Sequence, residues 1–100
     1  MMKITVLYGH PTHPGAFEDY YANTHLPLAA KIPDVARFEA SRVVGTPDGS
    51  EPPYYRIAEL WFESQETLEG AMGSPEGLQT VADIPTFATG GATVVISAVD

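Results

Sequence analysis

Residues 54–62 read YYRIAELWF, and the elements on either side of this stretch decide the fold. Its β-branched and aromatic side chains are typical of a strand. The preceding residues 47–53, PDGSEPP, are rich in turn formers and predict a hairpin loop. Before that loop, residues 35–46 carry apolar and polar side chains in alternation, which predicts a second strand. We therefore expect two consecutive antiparallel strands here.

Helical signals follow residues 54–62. Ser64 is a suitable N-cap residue and acidic residues stand in the turn after it, so we expect a helix from Ser64 to about Met72. Pro75 at a first helical position predicts a second helical piece, which Pro85 should end. The residues of this piece expected to face inward are Leu78, Val81 and Ala82.

The two ends of the chain both predict strands. Residues 92–99, ATVVISAV, follow a loop expected at 86–91, and residues 3–8, KITVLY, precede a loop at 9–15 that is rich in proline and glycine. Both strands place apolar side chains in both directions, unlike a strand with one face in water. We therefore expect both faces of the sheet to be covered.

The first helix is predicted by residues that share one helical face. Spacings of three and four residues connect Phe17, Tyr20, Tyr21, Thr24, His25 and Leu28. The helix should begin near Pro14 or Gly15 and end around Ile32. Pro27 lacks an amide hydrogen, so we expect a kink or restart there, with His25 beside the irregularity.

The resulting order of elements is β-α-β-β-α-β. It predicts an α+β, ferredoxin-like fold with a four-stranded antiparallel sheet and both helices on one face. The simplest cover for the other face is the same face of a second copy, related by a two-fold axis, which would make a homodimeric α/β barrel. The alternative is that a few exposed apolar strand residues are ordinary, because folded surfaces are largely apolar.

Composition limits the function. One hundred residues with 44% apolar content are enough for a single domain, assigned to residues 1–100, and the chain has no cysteine. A net charge of −8 with only five scattered basic residues argues against binding nucleic acid or an anionic membrane surface. The N-terminal residues lack the layout of a signal peptide and no apolar run approaches ~20 residues, so we expect a cytoplasmic protein.

Several segments of the chain resemble the EthD family. The most specific is FEDYY at 17–21 followed by HLPL at 25–28, and the next is AELWF at 58–62. The remaining matching positions are IPD at 32–34, SPE at 74–76, Asp83 and Phe87. The resemblance extends over nearly the whole chain, with the segments in the family's order.

The resemblance implies a dimeric α/β barrel with no metal or bound organic cofactor and with a pocket for a hydrophobic small molecule. Some relatives resemble proteins required beside a cytochrome P450 in ethyl tert-butyl ether degradation, and others resemble small dehydratases or cyclases of aromatic polyketides. The same fold is used by cofactor-free monooxygenases and muconolactone isomerases, so the fold does not name a reaction. An enzyme of this kind would be a cofactor-independent lyase, isomerase or monooxygenase.

His25 is the first candidate for catalysis, and Asp83 is the second. The spacing places His25 on the inward face with Phe17 and Tyr21, where an imidazole suits proton transfer near neutral pH. The alternative is a buried neutral ring whose nitrogens are satisfied within the protein. Asp83 either orients that imidazole or accepts hydrogen bonds from loop amides, as aspartate before a turn commonly does.

Further candidates are assigned to the pocket: Tyr8, His10, Phe17, Tyr21, Trp61 and Phe87. Aromatic residues at such spacing are often plain core, and His10 lies in a loop that could be solvated. Glu59 is either a buried acid or a hydrogen-bonded dimer contact. His10, His13 and His25 have no acidic residue at ligand spacing and so predict no metal site.

Two functions are consistent with these patterns. One is a cofactor-independent enzyme that uses His25 to move a proton on a mainly apolar carbonyl compound, phenol or lactone. The other is a non-catalytic accessory or ligand-binding dimer that holds a hydrophobic metabolite or supports a partner oxygenase. The lack of a second convincing catalytic group is the reason to consider the latter.

Overall fold

The computed structural model describes every residue from Met1 to Asp100. Four strands form its sheet: β1 (Met2–Tyr8), β2 (Arg37–Arg42), β3 (Arg56–Phe62) and β4 (Ala92–Ala98). They are antiparallel and lie in the order β2-β3-β1-β4. This arrangement confirms the predicted α+β, ferredoxin-like fold. β2 is shorter than residues 35–46 because the chain leaves the regular ladder after Arg42.

The helical segments connect these strands on one side of the sheet. They are α1 (Pro14–Tyr20), a π-helical segment (Tyr21–His25), α2 (Leu26–Ala29), α3 (Gln65–Gly73) and α4 (Pro75–Phe87). The Ser64 hydroxyl accepts a hydrogen bond from the Thr67 amide at 3.1 Å, and the Ser74 hydroxyl accepts one from the Gly77 amide at 3.1 Å. Both serines therefore cap the helices that follow them.

The π-helical segment accommodates Pro27 within the first helical stretch. The amide of Leu26 donates to the carbonyl of Tyr21, five residues back, which widens the turn just before the proline. The wider turn keeps every fourth residue buried, at Phe17, Tyr21, His25 and Ala29. Strict α-helical spacing predicted that Thr24 and Leu28 face inward, but Thr24 is exposed and Leu28 is half-buried. The extra residue in the turn is the reason for this difference.

Pro85 lies inside α4 instead of ending it. The helix continues for two residues to Phe87, so the loop before β4 is shorter than residues 86–91. A proline this close to a helix end removes one backbone hydrogen bond, and the buried ring of Phe87 holds the last turn against the rest of the core. Asp83, two residues before Pro85, lies within α4.

The inward face of α4 differs from the predicted one. Leu78 and Val81 are 60% and 47% exposed, and Ala82 is exposed as well. The helix instead buries its small residue Gly77, together with Thr80 and Phe87. A Cβ atom at Gly77 would lie 2.3 Å from the carbonyl oxygen of Ala71, so the close approach of α3 and α4 requires glycine there.

The buried strand residues all lie on the face that the helices cover. They are Ile4, Val6 and Tyr8 of β1 and Ala58, Leu60 and Phe62 of β3. The opposite face, called the far face below, includes Lys3, Leu7, Ile57, Glu59, Trp61 and Val95. Lys3 Nζ lies 3.0 Å from a carboxylate oxygen of Glu59, so the far face carries an ion pair among its apolar residues.

The edge strand β4 has no buried residue on either face. Val94 and Ile96, on the helix side, are 50% and 58% exposed, and Val95, on the far face, is 44% exposed. An edge strand with exposed apolar side chains on both faces is a surface that proteins usually cover. Among the helices, none combines the length and apolarity that crossing a bilayer requires.

Candidate functional site

His25 and Asp83 are in direct contact beneath the helices. Nδ1 of His25 lies 2.9 Å from Oδ2 of Asp83, and the hydroxyl of Tyr20 donates to Oδ1 of Asp83 at 2.6 Å. Only 5% of the His25 side chain and 13% of the Asp83 side chain are exposed. The carboxylate of Asp83 is therefore held by two side chains, and not by loop amides.

The protonation state of His25 follows from its surroundings. Burial lowers the pKa of His25 below the ordinary value of 6.5, while the hydrogen bond and the charge of Asp83 act in the opposite direction without reversing the shift. The ring is therefore neutral near pH 7. Because the carboxylate of Asp83 can only accept a hydrogen bond, we assign the proton of the neutral ring to Nδ1, which donates to it, and the lone pair to Nε2. Nδ1 makes the only hydrogen bond of the ring, so Nε2 has no partner within the chain.

His25 lines an apolar cavity between the helices and the sheet. The cavity has a volume of about 40 Å³, and 14 of its 16 lining residues are hydrophobic. Its walls include Val6 and Leu60 from the sheet and Ala29 and Ile84 from the helices. A space of this size holds roughly three water-sized groups. It therefore suits a small part of an apolar ligand.

Aromatic rings fix the orientation of the His25 ring. The ring of Tyr21 is stacked on it at a centroid distance of 5.7 Å, and the ring of Phe87 lies at 4.6 Å. Tyr8 packs edge-on against Tyr21 at 5.7 Å. Burial raises the pKa of Tyr21 to about 12 and raises that of Tyr8 further, so both phenols keep their protons at neutral pH.

A charged pair lies beside this aromatic group. The guanidinium of Arg56 lies 4.8 Å from the ring centroid of Tyr21 and donates two hydrogen bonds to the carboxylate of Glu18, at 2.6 and 3.1 Å. The hydrogen bond from Arg56 holds the pKa of Glu18 below its usual range. Sequence reasoning did not identify this pair, since the two residues are 38 positions apart and no local pattern connects them.

Comparison with known proteins identifies the family. The sequence profile described as the EthD domain matches residues 10–91. This chain belongs to the EthD family. An uncharacterized 11.0 kDa protein encoded in the thcB-thcC intergenic region of Rhodococcus erythropolis is 40% identical over 97 residues, which cover 97% of this chain and 93% of that protein.

Solved structures show the same fold. The crystal structure of an ethyl tert-butyl ether D (EthD) family protein from Bacillus halodurans C-125 has a TM-score of 0.93 and 35% identity, covering 100% of this chain and 99% of that one. A dimeric ferredoxin-like protein of unknown function from Thermobifida fusca YX has a TM-score of 0.72 and 14% identity, covering 98% and 90% of the two chains. The second likeness shows the fold alone.

Four residues assigned to the pocket of this EthD-family protein lie around His25. Tyr8 and Tyr21 line the cavity itself. Phe17 and Phe87 pack behind them and face a separate, shallow cleft on the outer side. Tyr20, which the sequence placed on the helix face without a role, is a further residue of the site because it binds Asp83.

The other two residues assigned to the pocket lie elsewhere. Trp61 is on the far face, where the guanidinium of Arg37 lies 4.9 Å from its ring centroid. Alternation along β3 shows that Trp61 and Leu60 point to opposite faces, but not which face the helices cover. His10 is at the surface, with Nε2 2.7 Å from the carbonyl oxygen of Pro52. Nowhere in the EthD-family chain do three or more His, Asp or Glu side chains cluster as a metal site would require.

Proposed function

We propose that this EthD-family protein binds a mainly apolar small molecule in the cavity between its helices and its sheet, and that His25 transfers a proton to or from that molecule. The observation that carries this proposal is the 2.9 Å contact between Nδ1 of His25 and Asp83, on a ring that lines the cavity and whose Nε2 has no partner. Compounds of ether degradation or of aromatic polyketide metabolism are mainly apolar and match such walls.

The contacts of His25 suit a general base. Nε2 would accept a proton from the ligand, and the imidazolium formed would be stabilised by the carboxylate of Asp83 at Nδ1. Asp83 is a positioning residue in this scheme, since it acts through His25. The apolar walls strengthen the charge interaction because they keep the local dielectric constant low.

We also propose that the protein works as a homodimer. Support comes from the exposed apolar side chains of β4 and from the partly apolar far face, which a second copy would cover. The ferredoxin-like protein from Thermobifida fusca YX, which has the same fold, is described as dimeric.

Replacement of His25 tests the catalytic role. The variant His25→Gln keeps a polar side chain of similar size but cannot exchange protons near neutral pH, so turnover of a responsive aromatic polyketide, lactone or ether-derived carbonyl compound should fall by about 100-fold or more. His13→Gln is the matched control, because His13 is an exposed histidine outside the cavity. Turnover that is equal in His25→Gln and in the natural protein would contradict the assignment.

A second candidate function is binding without catalysis, in support of a partner oxygenase. It is favoured by the composition of the cavity, whose walls are almost entirely hydrophobic and include one histidine and no carboxylate. Calorimetric titration with the same compounds distinguishes the two functions. Saturable binding without turnover of any compound would support the accessory role.

A further inference from the structure

Tyr21 carries a buried hydroxyl group that has no hydrogen-bond partner. Its side chain is among the largest that are fully buried, with 1% of the residue exposed. It is the one fully enclosed side-chain nitrogen or oxygen without a partner, because Nε2 of His25, which is also unpaired, is not fully enclosed. An unpaired buried hydroxyl destabilises a protein, so a single exception calls for a reason.

The ring of Tyr21 is fixed on several sides. Phe17 is stacked on it at 5.5 Å with an interplanar angle of 21°, and His25 is stacked at 5.7 Å with an angle of 23°. Arg56 lies 4.8 Å from the ring centroid, and its guanidinium is already paired with Glu18. The hydroxyl therefore cannot gain a partner by a simple rotation of the side chain into water. Its position is set before any ligand arrives.

Tyr21 and His25 line the same cavity and offer complementary groups. The raised pKa of Tyr21 keeps its phenol protonated, which makes the hydroxyl a donor, while Nε2 of the neutral His25 ring is an acceptor. No lysine or arginine lines the cavity, so a carboxylate or a phosphate would have no counter-charge there. The matching ligand is neutral, with an acceptor oxygen close to an acidic hydrogen.

Building on the proposed proton transfer, we infer that the ligand is a neutral carbonyl compound with an α-hydrogen, such as a ketone, an ester or a lactone, whose oxygen accepts a hydrogen bond from Tyr21. His25 Nε2 takes the proton from the α-carbon. The electron pair of the broken C–H bond forms the C=C bond of an enolate, and the carbonyl π pair moves to the oxygen, where the Tyr21 hydroxyl stabilises the charge. Return of the proton to the same or a conjugated carbon completes the cycle without an oxidant.

The test uses two probes of the same shape, cyclopentanone and methylenecyclopentane, of which only the first has an acceptor oxygen. NMR titration should show about tenfold weaker binding of cyclopentanone by Tyr21→Phe than by the natural protein, with binding of methylenecyclopentane unchanged. Exchange of the α-hydrogens of cyclopentanone in D₂O should slow in the same variant. Tyr54→Phe is the matched control, because Tyr54 lies in the connection between β2 and β3 and does not line the cavity; this variant should behave as the natural protein does.

Thermal unfolding without ligand separates a ligand-binding role from a structural one. Tyr21→Phe removes an unpaired buried hydroxyl, so its Tm should equal or exceed that of the natural protein, whereas a hydroxyl with a structural role would lower the Tm when lost. Binding of neither probe, equal affinity for both, or unchanged cyclopentanone affinity in Tyr21→Phe would overturn the carbonyl assignment. If His25→Gln still lost turnover, the proton transfer would stand; full activity of His25→Gln would overturn the proposed function instead.

Discussion

Nδ1 of His25 and Oδ2 of Asp83 lie 2.9 Å apart, although 58 positions separate the two residues in the chain. The contact joins the π-helical segment to α4, and the Tyr20 hydroxyl holds the other oxygen of the carboxylate. Asp83 is the only hydrogen-bond partner of the His25 ring. The geometry of the site therefore depends on where α4 is packed.

Replacing Asp83 with asparagine should remove the base from the cavity without changing the size of the side chain. The asparagine amide can donate to Nδ1 of His25, which moves the ring proton to Nε2. We expect the rate of proton transfer to fall by about 100-fold or more. Nitrogen NMR of the imidazole should show the changed tautomer. Asp19→Asn, at an exposed position of α1, is the control. The prediction would be refuted if Asp83→Asn transferred the proton as fast as the natural protein and kept the same tautomer of His25.

The stability of the protein should depend on the protonation of His25 below its ordinary pKa of 6.5. The pKa of His25 is lowered in the folded state, so below its ordinary value of 6.5 the unfolded chain binds a proton that the folded protein excludes. Because of His25, the free energy of unfolding should therefore fall as the pH is lowered through 6.5. Above that region, His25 should not change the free energy of unfolding. His25→Gln should lack this contribution.

Urea unfolding of the natural protein and of His25→Gln at a series of pH values measures the difference in their free energies of unfolding. Glu18 and Asp48, whose pKa values are lowered from 4.5 and 3.8, add their own losses of stability only at more acidic pH. His10 and His13 are present in both proteins and cancel in the comparison. Identical pH dependence in the two proteins would show that His25 is not buried as a neutral ring.

Two glycines near α4 should respond to alanine with opposite signs. A Cβ at Gly77 would lie 2.3 Å from the carbonyl oxygen of Ala71, so Gly77→Ala should lower the free energy of unfolding by about 2 kcal/mol or more and displace the helix that carries Asp83. Gly70, in α3, has open space within 4 Å of the position that an alanine methyl would occupy, so Gly70→Ala should raise the free energy of unfolding by about 0.5–1 kcal/mol. Urea denaturation measures the free energy of unfolding of both variants. Equal changes in Gly77→Ala and Gly70→Ala would contradict the close approach of α3 and α4 at Gly77.

The homodimer can be tested on the far face. Light scattering coupled to gel filtration should give twice the chain mass of 10.7 kDa at micromolar concentration. Val95→Glu places a charge on an exposed apolar position of the far face and should shift the protein to monomer. Gln79→Glu adds the same charge on the exposed side of α4 and should leave the mass unchanged. A natural protein that runs as a monomer would contradict the proposed barrel.

The amino-acid sequence by itself determined the order of the elements, the ferredoxin-like fold and the inward position of His25. These features depend on patterns within about ten neighbouring residues, such as the alternation in β3, the serine before each C-terminal helix and the four-residue steps from Phe17 to His25. The EthD signature of residues 17–28 is equally local, and it was sufficient to indicate the family.

Only the tertiary structure decided which residues meet. The packing of α4 against α1 and the π-helical segment places Asp83 beside His25 and Tyr20, and the last turn of α4 continues past Pro85 to the buried Phe87. Trp61 lies on the far face because alternation separates two sides of a strand without saying which side the helices cover. Contacts between elements that are far apart in the chain arise from packing, and local patterns carry no information about them.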